Sequence, residues 1–267
     1  MALDTIPQRT PRVRLFGLPL DALSPEAVEA RLDALAGDGR HHQVVTVNTD
    51  FVAVARRDPS FHALVCDADL VVPDGAPILW AARLRGHRLP SRITGPDIIA
   101  MAVRHARARG SALYFLGGAP GVAARAVDQL RLRYGAFNVA GISAPAAGLD
   151  AAADARLARE VRDAAPDFVF VGFGCPKQDF WIRRHRDLVP AVCVGVGGSF
   201  NYLSGDIRRA PSWAQRSGLE WAFRLATEPR RLARRYLLDD FPVALALGWE
   251  ALRHHVASPQ GQTRRRA

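Results

Sequence analysis

The chain has 267 residues, 49% of them hydrophobic, enough to bury one sizeable core and suited to one large α/β domain with or without a helical appendage. Its net charge of +10 is almost wholly arginine, Lys177 being the only lysine, and its 3 cysteines form no CxxC pair, which argues against a structural zinc site or a disulfide framework. The first ten residues lack an apolar core, and no apolar stretch approaches the roughly 20 residues of a spanning helix, so a cytoplasmic protein without signal peptide or membrane span is expected.

Residues 1–10 are expected to be disordered. RVRLFGL (12–18) reads as a first strand. Ser24-Pro25-Glu26 opens a helix, with Ser24 as cap and Pro25 at the first helical position. QVVTVN (43–48) reads as a strand, followed by two helices broken at Pro59. DLVV (69–72) is a strand, and helices are expected over 77–85 and 96–110. SALYFLGG (111–118) is a strand leading into a helix from Pro120 to about Tyr134, and FNVAGI (137–142) is another strand. A helix over 151–164, strands at 167–173 and 191–197, and a helix 177–187 between them complete the pattern. The alternation of strand and helix predicts a Rossmann-like, mainly parallel sheet with helices on both faces, spanning residues 11–205.

The pattern changes after Gly205. No strand-like run remains, and Pro211, Pro229 and Pro242 each fall near a helix start, so residues 206–255 read as a helical appendage and 256–267 as a flexible basic tail. Residues 205–267 hold 12 Arg against 6 Asp plus Glu, hence +6 of the +10. In 219–238 apolar and aromatic residues alternate with Arg224, Arg230, Arg231, Arg234 and Arg235. That composition fits an anionic membrane surface, or a helical cap with solvated arginines outside.

In an open parallel sheet, ligands sit at the carboxyl ends of the strands. Thr46 and Asn48 close one such strand, and Asp74-Gly75 closes another. Asp74, at the mouth of an apolar sheet with Arg92 following in SRITGPD, is a candidate general base, or else a turn stabiliser. The Gly117-Gly118 turn can hold phosphate on its backbone N–H groups, or is an ordinary strand-to-helix turn. Gly195, Gly197, Gly198 and Ser199 leave a buried strand where a ligand could approach the backbone closely, or where the chain packs tightly without one. GFGCPKQDFW puts Lys177, a possible phosphate contact, and Gln178, a neutral hydrogen-bonding group, at a further strand end, or at a helix start with both side chains solvated. Asp67-Ala68-Asp69 resembles a metal-binding DxD but precedes its strand instead of following it. His41-His42 and His254-His255 read as surface residues, and Cys175 as an inert thiol.

Seven ordered motifs carry a resemblance: TVNTDF (46–51), ADLVVPDG (68–75), RITGPD (92–97), FLGGAPG (115–121), GFGCPKQDFWI (172–182), GVGGSFNYLSG (195–205) and RAPSWAQRSGLEWAFRLATEPRRLARRY (209–236). Over roughly Leu15 to Leu238 the chain resembles the bacterial WecG/TagA/CpsF glycosyltransferases. The resemblance implies an inverting, metal-independent transfer from a UDP-sugar to an undecaprenyl-diphosphate-linked sugar in surface-polysaccharide synthesis. Such an enzyme works at the inner membrane face, without cofactor or nucleic-acid partner. It implies Asp74 as base, with Thr46, Asn48, Arg92 and Gln178 as polar partners. The donor pocket falls on the Gly197-Gly198 loop and its neighbours Gly117, Gly118, Gly172, Lys177, Ser199 and Asn201. Arg224, Arg231 and Arg234 of the appendage fall near the diphosphate, and the appendage is a candidate both for membrane docking and for a homo-oligomer contact. Asn201 departs from the family, which often carries Asp there. The donor sugar (N-acetylmannosamine, its uronic acid or glucose) stays open. The rival readings are a nucleotide-dependent oxidoreductase or methyltransferase built on the GVGGS loop and a basic nucleic-acid-binding protein.

Overall fold

The structure, a computed structural model, describes residues 12–145 and 150–207 together with Gly148, Ala210, Pro211, Ala214, Phe223, Leu225 and Ala226. The expectations for residues 1–10 and 256–267 lie outside the described residues, as do Arg224, Arg231, Arg234 and most of the 206–255 appendage.

Six short strands form one parallel sheet: β3 (His42–Val47), β4 (Leu70–Pro73), β5 (Leu113–Gly117), β6 (Val139–Ser143), β7 (Phe168–Gly172) and β8 (Val192–Gly195), in the order β4-β3-β8-β7-β5-β6. All six residues of β3 are buried, as expected for a strand covered on both faces. The two faces alternate residue by residue. Val44, Val72, Phe115, Phe170 and Val194 pack with helices α1 (Pro25–Ala36), α5 (Gly95–Arg109) and α6 (Val122–Tyr134). On the opposite face Val45, Val47 and Val71 pack with α2 (Thr49–Arg57), α3 (Pro59–Asp67) and α4 (Ala76–Leu84). Tyr114, Leu116, Val169, Val171 and Cys193 pack there with α7 (Ala151–Asp163) and α8 (Lys177–Arg184). The Rossmann-like α/β expectation holds. The helix starts follow their caps: Ser24 accepts from Ala27, Asn48 from Phe51, Asp58 from Ser60 and Phe61, and Thr94 forms a reciprocal capping box with Asp97.

Two local expectations are corrected. Residues 12–18 are not one strand of the sheet. They begin a separate hairpin of β1 (Arg12–Leu15) and β2 (Leu18–Asp21), turned at Phe16 and Gly17, both with positive φ (58° and 81°). Two left-handed residues match the twist of a tight hairpin, but Phe-Gly is not the Asn-Gly or Asp-Gly dipeptide that announces one. The hairpin docks on β4, the outer strand. Asp21, 1% exposed, accepts the Val71 N–H at 2.8 Å and pairs with Arg12 at 3.0 Å, so a side chain satisfies a donor on the sheet edge. The second is a short helix, α9 (Ser199–Leu203), in a segment to which the expected succession of strands and helices gives no element. Phe200, 1% exposed, plugs the core beside Phe115 (ring centroids 5.8 Å apart) and fixes this segment to the sheet.

Candidate active site

Parallel strands present all their carboxyl ends on one rim, and a chain of short contacts joins the motifs along it. The Asp74 N–H donates to the Val47 carbonyl at 2.7 Å, tying the end of β4 to the end of β3. Gly75, at φ 110°, makes a turn that an L side chain strains to adopt, and its Cα faces the Asn48 side chain and Pro77. Chain that leaves the rim through α4 returns where the Ile93 N–H donates to the Pro73 carbonyl at 2.9 Å, and this brings Arg92 back beside Asp74 in the chain path. Gly95 then packs directly on Ser199 Oγ and the Val196 backbone, so RITGPD meets GVGGS.

The Gln178 side chain locks the next two loops together. It is 2% exposed, and its amide oxygen accepts the Gly174 N–H at 3.1 Å and the Gly197 N–H at 2.8 Å. The amide also presses on Gly195: a Cβ there would lie 2.5 Å from Gln178 Nε2 and 2.9 Å from Asp179 Oδ1. Gly172 lies against the Phe200 ring and the Gly197 carbonyl, and the Gly118 N–H donates to the Gly172 carbonyl at 3.3 Å. The rim is thus continuous from β4 through β3, β8 and β7 to β5.

The sequence candidates take distinct places on this rim. Asp74 and Arg92 are half-buried at its β4 end. Thr46 is buried on β3, on the face it shares with Val44. Asn48 uses its amide oxygen as the cap of α2, so its NH₂ group is the part it can offer a ligand. Gly197 and Gly198 are half-buried, and the Asn201 amide nitrogen lies over Gly198. Ser199 is buried and donates its hydroxyl to the Val196 carbonyl. Gly117 is buried with its Cα against Phe173 and Gly172, so protein atoms occupy the space beside it. Of the two neighbours at the start of α8, Lys177 is exposed and Gln178 is not solvated at all.

Two groups read differently in the structure than in the sequence. Asp179, absent from the sequence candidates, is fully buried, and neither carboxyl oxygen reaches a hydrogen-bond partner. Burial pushes its pKa up to about 8, and the Asp50 carboxylate works in the same direction. The spacing carried a signal: Asp179 precedes Ile182 by three residues and so shares its buried helix face. His42 is not a surface residue. It is 5% exposed and bridges Asp38 (2.8 Å) and Asp69 (3.1 Å), and although burial opposes its charge, the two carboxylates raise its pKa above the ordinary value. The DxD aspartates are both engaged away from the rim, Asp67 with Arg183 (2.8 Å) and Asp69 with His42 and the Gln43 N–H (2.9 Å). Among the described residues no group of three or more His, Cys, Asp or Glu is arranged to hold a metal ion.

Asp179 makes stability pH-dependent in a stated direction. The unfolded chain ionises it near 3.8 and the folded one near 8, so between those values folding retains a proton that unfolding releases, and stability falls as pH rises. Asp179→Asn removes this loss. The variant is expected to gain thermal midpoint over the parent progressively from acid to mildly alkaline pH, measured by thermal melts across that range. A difference that does not change with pH would overturn the assignment of a neutral acid.

The chain is similar to known proteins along most of its length. Residues 13–257 match the Glycosyl transferase WecG/TagA/CpsF family. The N-acetylglucosaminyldiphosphoundecaprenol N-acetyl-beta-D-mannosaminyltransferase of Bacillus spizizenii is 34% identical over 217 residues, covering 80% of this chain and 80% of that protein. The protein of the same name from Bacillus subtilis is 33% identical over 205 residues, covering 76% and 78%. With a family match across nearly the whole chain and relatives of comparable length, the protein is a glycosyltransferase and belongs to the WecG/TagA/CpsF family.

Proposed function

We propose that this enzyme moves a sugar from a UDP-sugar to a hydroxyl of a sugar carried on undecaprenyl diphosphate, by one in-line displacement that inverts the anomeric carbon. The observation that carries the reading is the joining of Asp74-Gly75, Asn48, the Arg92 segment and the Gly197-Gly198 loop on a single rim. The relatives' names supply the acceptor class and make N-acetylmannosamine the first donor to test.

In this reading the acceptor hydroxyl attacks the anomeric carbon and gives its proton to the Asp74 carboxylate, while the bond to the UDP oxygen breaks. Charge then grows on the departing diphosphate. Arginines and backbone N–H groups at the glycine loops stabilise it, from Arg92 and, outside the described residues, Arg224, Arg231 and Arg234. Gln178 acts by holding the Gly174 and Gly197 loops in register. Residues 11–205 form the catalytic unit, and the 206–255 region completes the site and docks on anionic lipid. Among the described residues no helix is long and apolar enough to cross a membrane.

The test is UDP release by the purified protein with UDP-N-acetylmannosamine, UDP-N-acetylmannosaminuronic acid, UDP-N-acetylglucosamine and UDP-glucose in turn, each with a polyprenyl-diphosphate-linked sugar and EDTA. Acceptor-dependent release from one donor is expected. Loss of release in EDTA would overturn metal independence, and failure to bind UDP would overturn the donor class. Replacing Arg224, Arg231 and Arg234 together with Gln is expected to lower turnover by roughly 100-fold or more, since one lost electrostatic donor costs on the order of 3 kcal/mol in the barrier. Unchanged turnover would remove these residues from the site.

A further inference from the structure

Between Asp74 and Asp97 the chain carries Arg83, Arg85, Arg88, Arg92 and His87 and no acidic residue. Both ends of this excursion are fixed to the active-site rim, at Gly75 beside Asn48 and at Ile93 on the Pro73 carbonyl. Its first half is α4, whose inner face (Ile78, Ala81 and Ala82) is buried in the core together with Leu89 from the following loop. The outer face is different. Trp80 and Leu84 stand one helical turn apart, 43% and 47% exposed, with exposed Arg83 between them and exposed His87 and Arg88 beyond. Of the four large apolar side chains exposed among the described residues, two are this pair. Arg85 folds back over the Phe16 ring at 5.0 Å, joining the hairpin to the same surface.

An aromatic and an aliphatic side chain ringed by arginines is the composition of an interfacial helix: the apolar pair enters the headgroup boundary, and the cations meet anionic lipid. A second copy of the chain is the poorer occupant. A two-fold contact would set these arginines against their own images with no acid in the stretch to relieve them. We infer that the outer face of α4 and the loop to Arg92 form a membrane-contact surface on the catalytic unit itself, distinct from the C-terminal region, which seats on an anionic phospholipid bilayer. The inference rests on the lipid-linked acceptor proposed above and deepens it. Because the surface starts and ends on the rim that carries Asp74, docking through it holds that rim at headgroup height, where the diphosphate of a bilayer-embedded acceptor lies.

The test uses the full-length chain and its Trp80→Ser/Leu84→Gln and Arg83→Gln/Arg88→Gln variants. None of these residues is in the catalytic machinery, and all four are exposed. Co-sedimentation is measured with vesicles of phosphatidylcholine and phosphatidylglycerol in equal parts, against phosphatidylcholine alone. Both variants are expected to bind the anionic vesicles about tenfold more weakly or worse. They should keep parental turnover on a short-chain, water-soluble acceptor and lose it on the acceptor embedded in vesicles. Quenching by bromine-labelled lipid gives a second reading: it should fall in Trp80→Phe, which keeps an apolar ring but removes that fluorophore. Parental binding by both variants and unchanged quenching, in a protein that does bind anionic vesicles, would overturn this surface while leaving the lipid-acceptor reading intact. A parent that binds no vesicle and uses no embedded acceptor would overturn both. A change of oligomeric state in the variants with vesicle binding unchanged would make α4 a subunit contact and also overturn the inference.

Discussion

Asp74→Asn is expected to lower turnover by about 100- to 10,000-fold, the range that a positioned general base contributes, while UDP binding stays near that of the parent. The substitution is nearly isosteric and leaves the backbone untouched. The Asp74 N–H to Val47 carbonyl bond and the Gly75 turn both survive it, so the rim keeps its shape. What changes, in the proposed mechanism, is the ability to take a proton from the attacking hydroxyl. Isothermal titration with UDP alongside turnover on a lipid-linked acceptor separates the two. Full turnover in the variant would refute the base role. Loss of UDP binding together with turnover would mean that Asp74 builds the donor pocket instead.

Gln178→Ala is expected to cost up to about 6 kcal/mol of stability, since the half-buried Gly174 and Gly197 N–H groups each lose their acceptor and a fully buried orphan costs about 1–3 kcal/mol. It should also weaken UDP binding, because the two loops that Gln178 spans are then free to part. Gln178→Glu keeps an acceptor oxygen between the loops but sets a second carboxyl beside the buried Asp179, so its stability should fall further as pH rises. Chemical denaturation of both variants, with UDP titrations, checks the pair. A Gln178→Ala variant that keeps its stability and loses only turnover would place Gln178 against substrate instead of beneath the loops.

The difference between Asp74 and Gln178 marks how far sequence reading reached. Both were legible as polar residues at strand ends, because a β-branched run followed by a turn is a local pattern. Asp74 and Asn48 could be placed on one rim for the same reason, since parallel strands put their carboxyl ends together whatever their order. The work Gln178 does was not legible. Its partners lie four residues back and nineteen residues on, and only packing α8 against β8 brings them within reach. Ser199 is similar: as a strand-end hydroxyl it reads as a ligand contact, but the structure turns it onto the Val196 carbonyl.

The sequence by itself determined the class of fold, the succession of strands and helices from β3 to β8, most helix starts and the strand ends that gather on the candidate rim. These follow from short-range rules: burial on both faces of parallel strands, the helical period, and capping residues next to the helices they cap. Tertiary structure alone decided the strand order, the Phe16-Gly17 hairpin that blocks the β4 edge, the helix made by Ser199–Leu203, and the charge states of the two groups misjudged or missed. His42, in a pair of histidines just ahead of the expected strand, reads as a surface residue, yet Asp38 and Asp69 close over it and favour its cation. Asp179 lies two residues after an exposed lysine in sequence, yet helix α8 turns it into the core and favours its neutral acid. Charge state depends on what surrounds a group in three dimensions, through desolvation and opposing charge, and neither is a property of neighbouring letters in the chain.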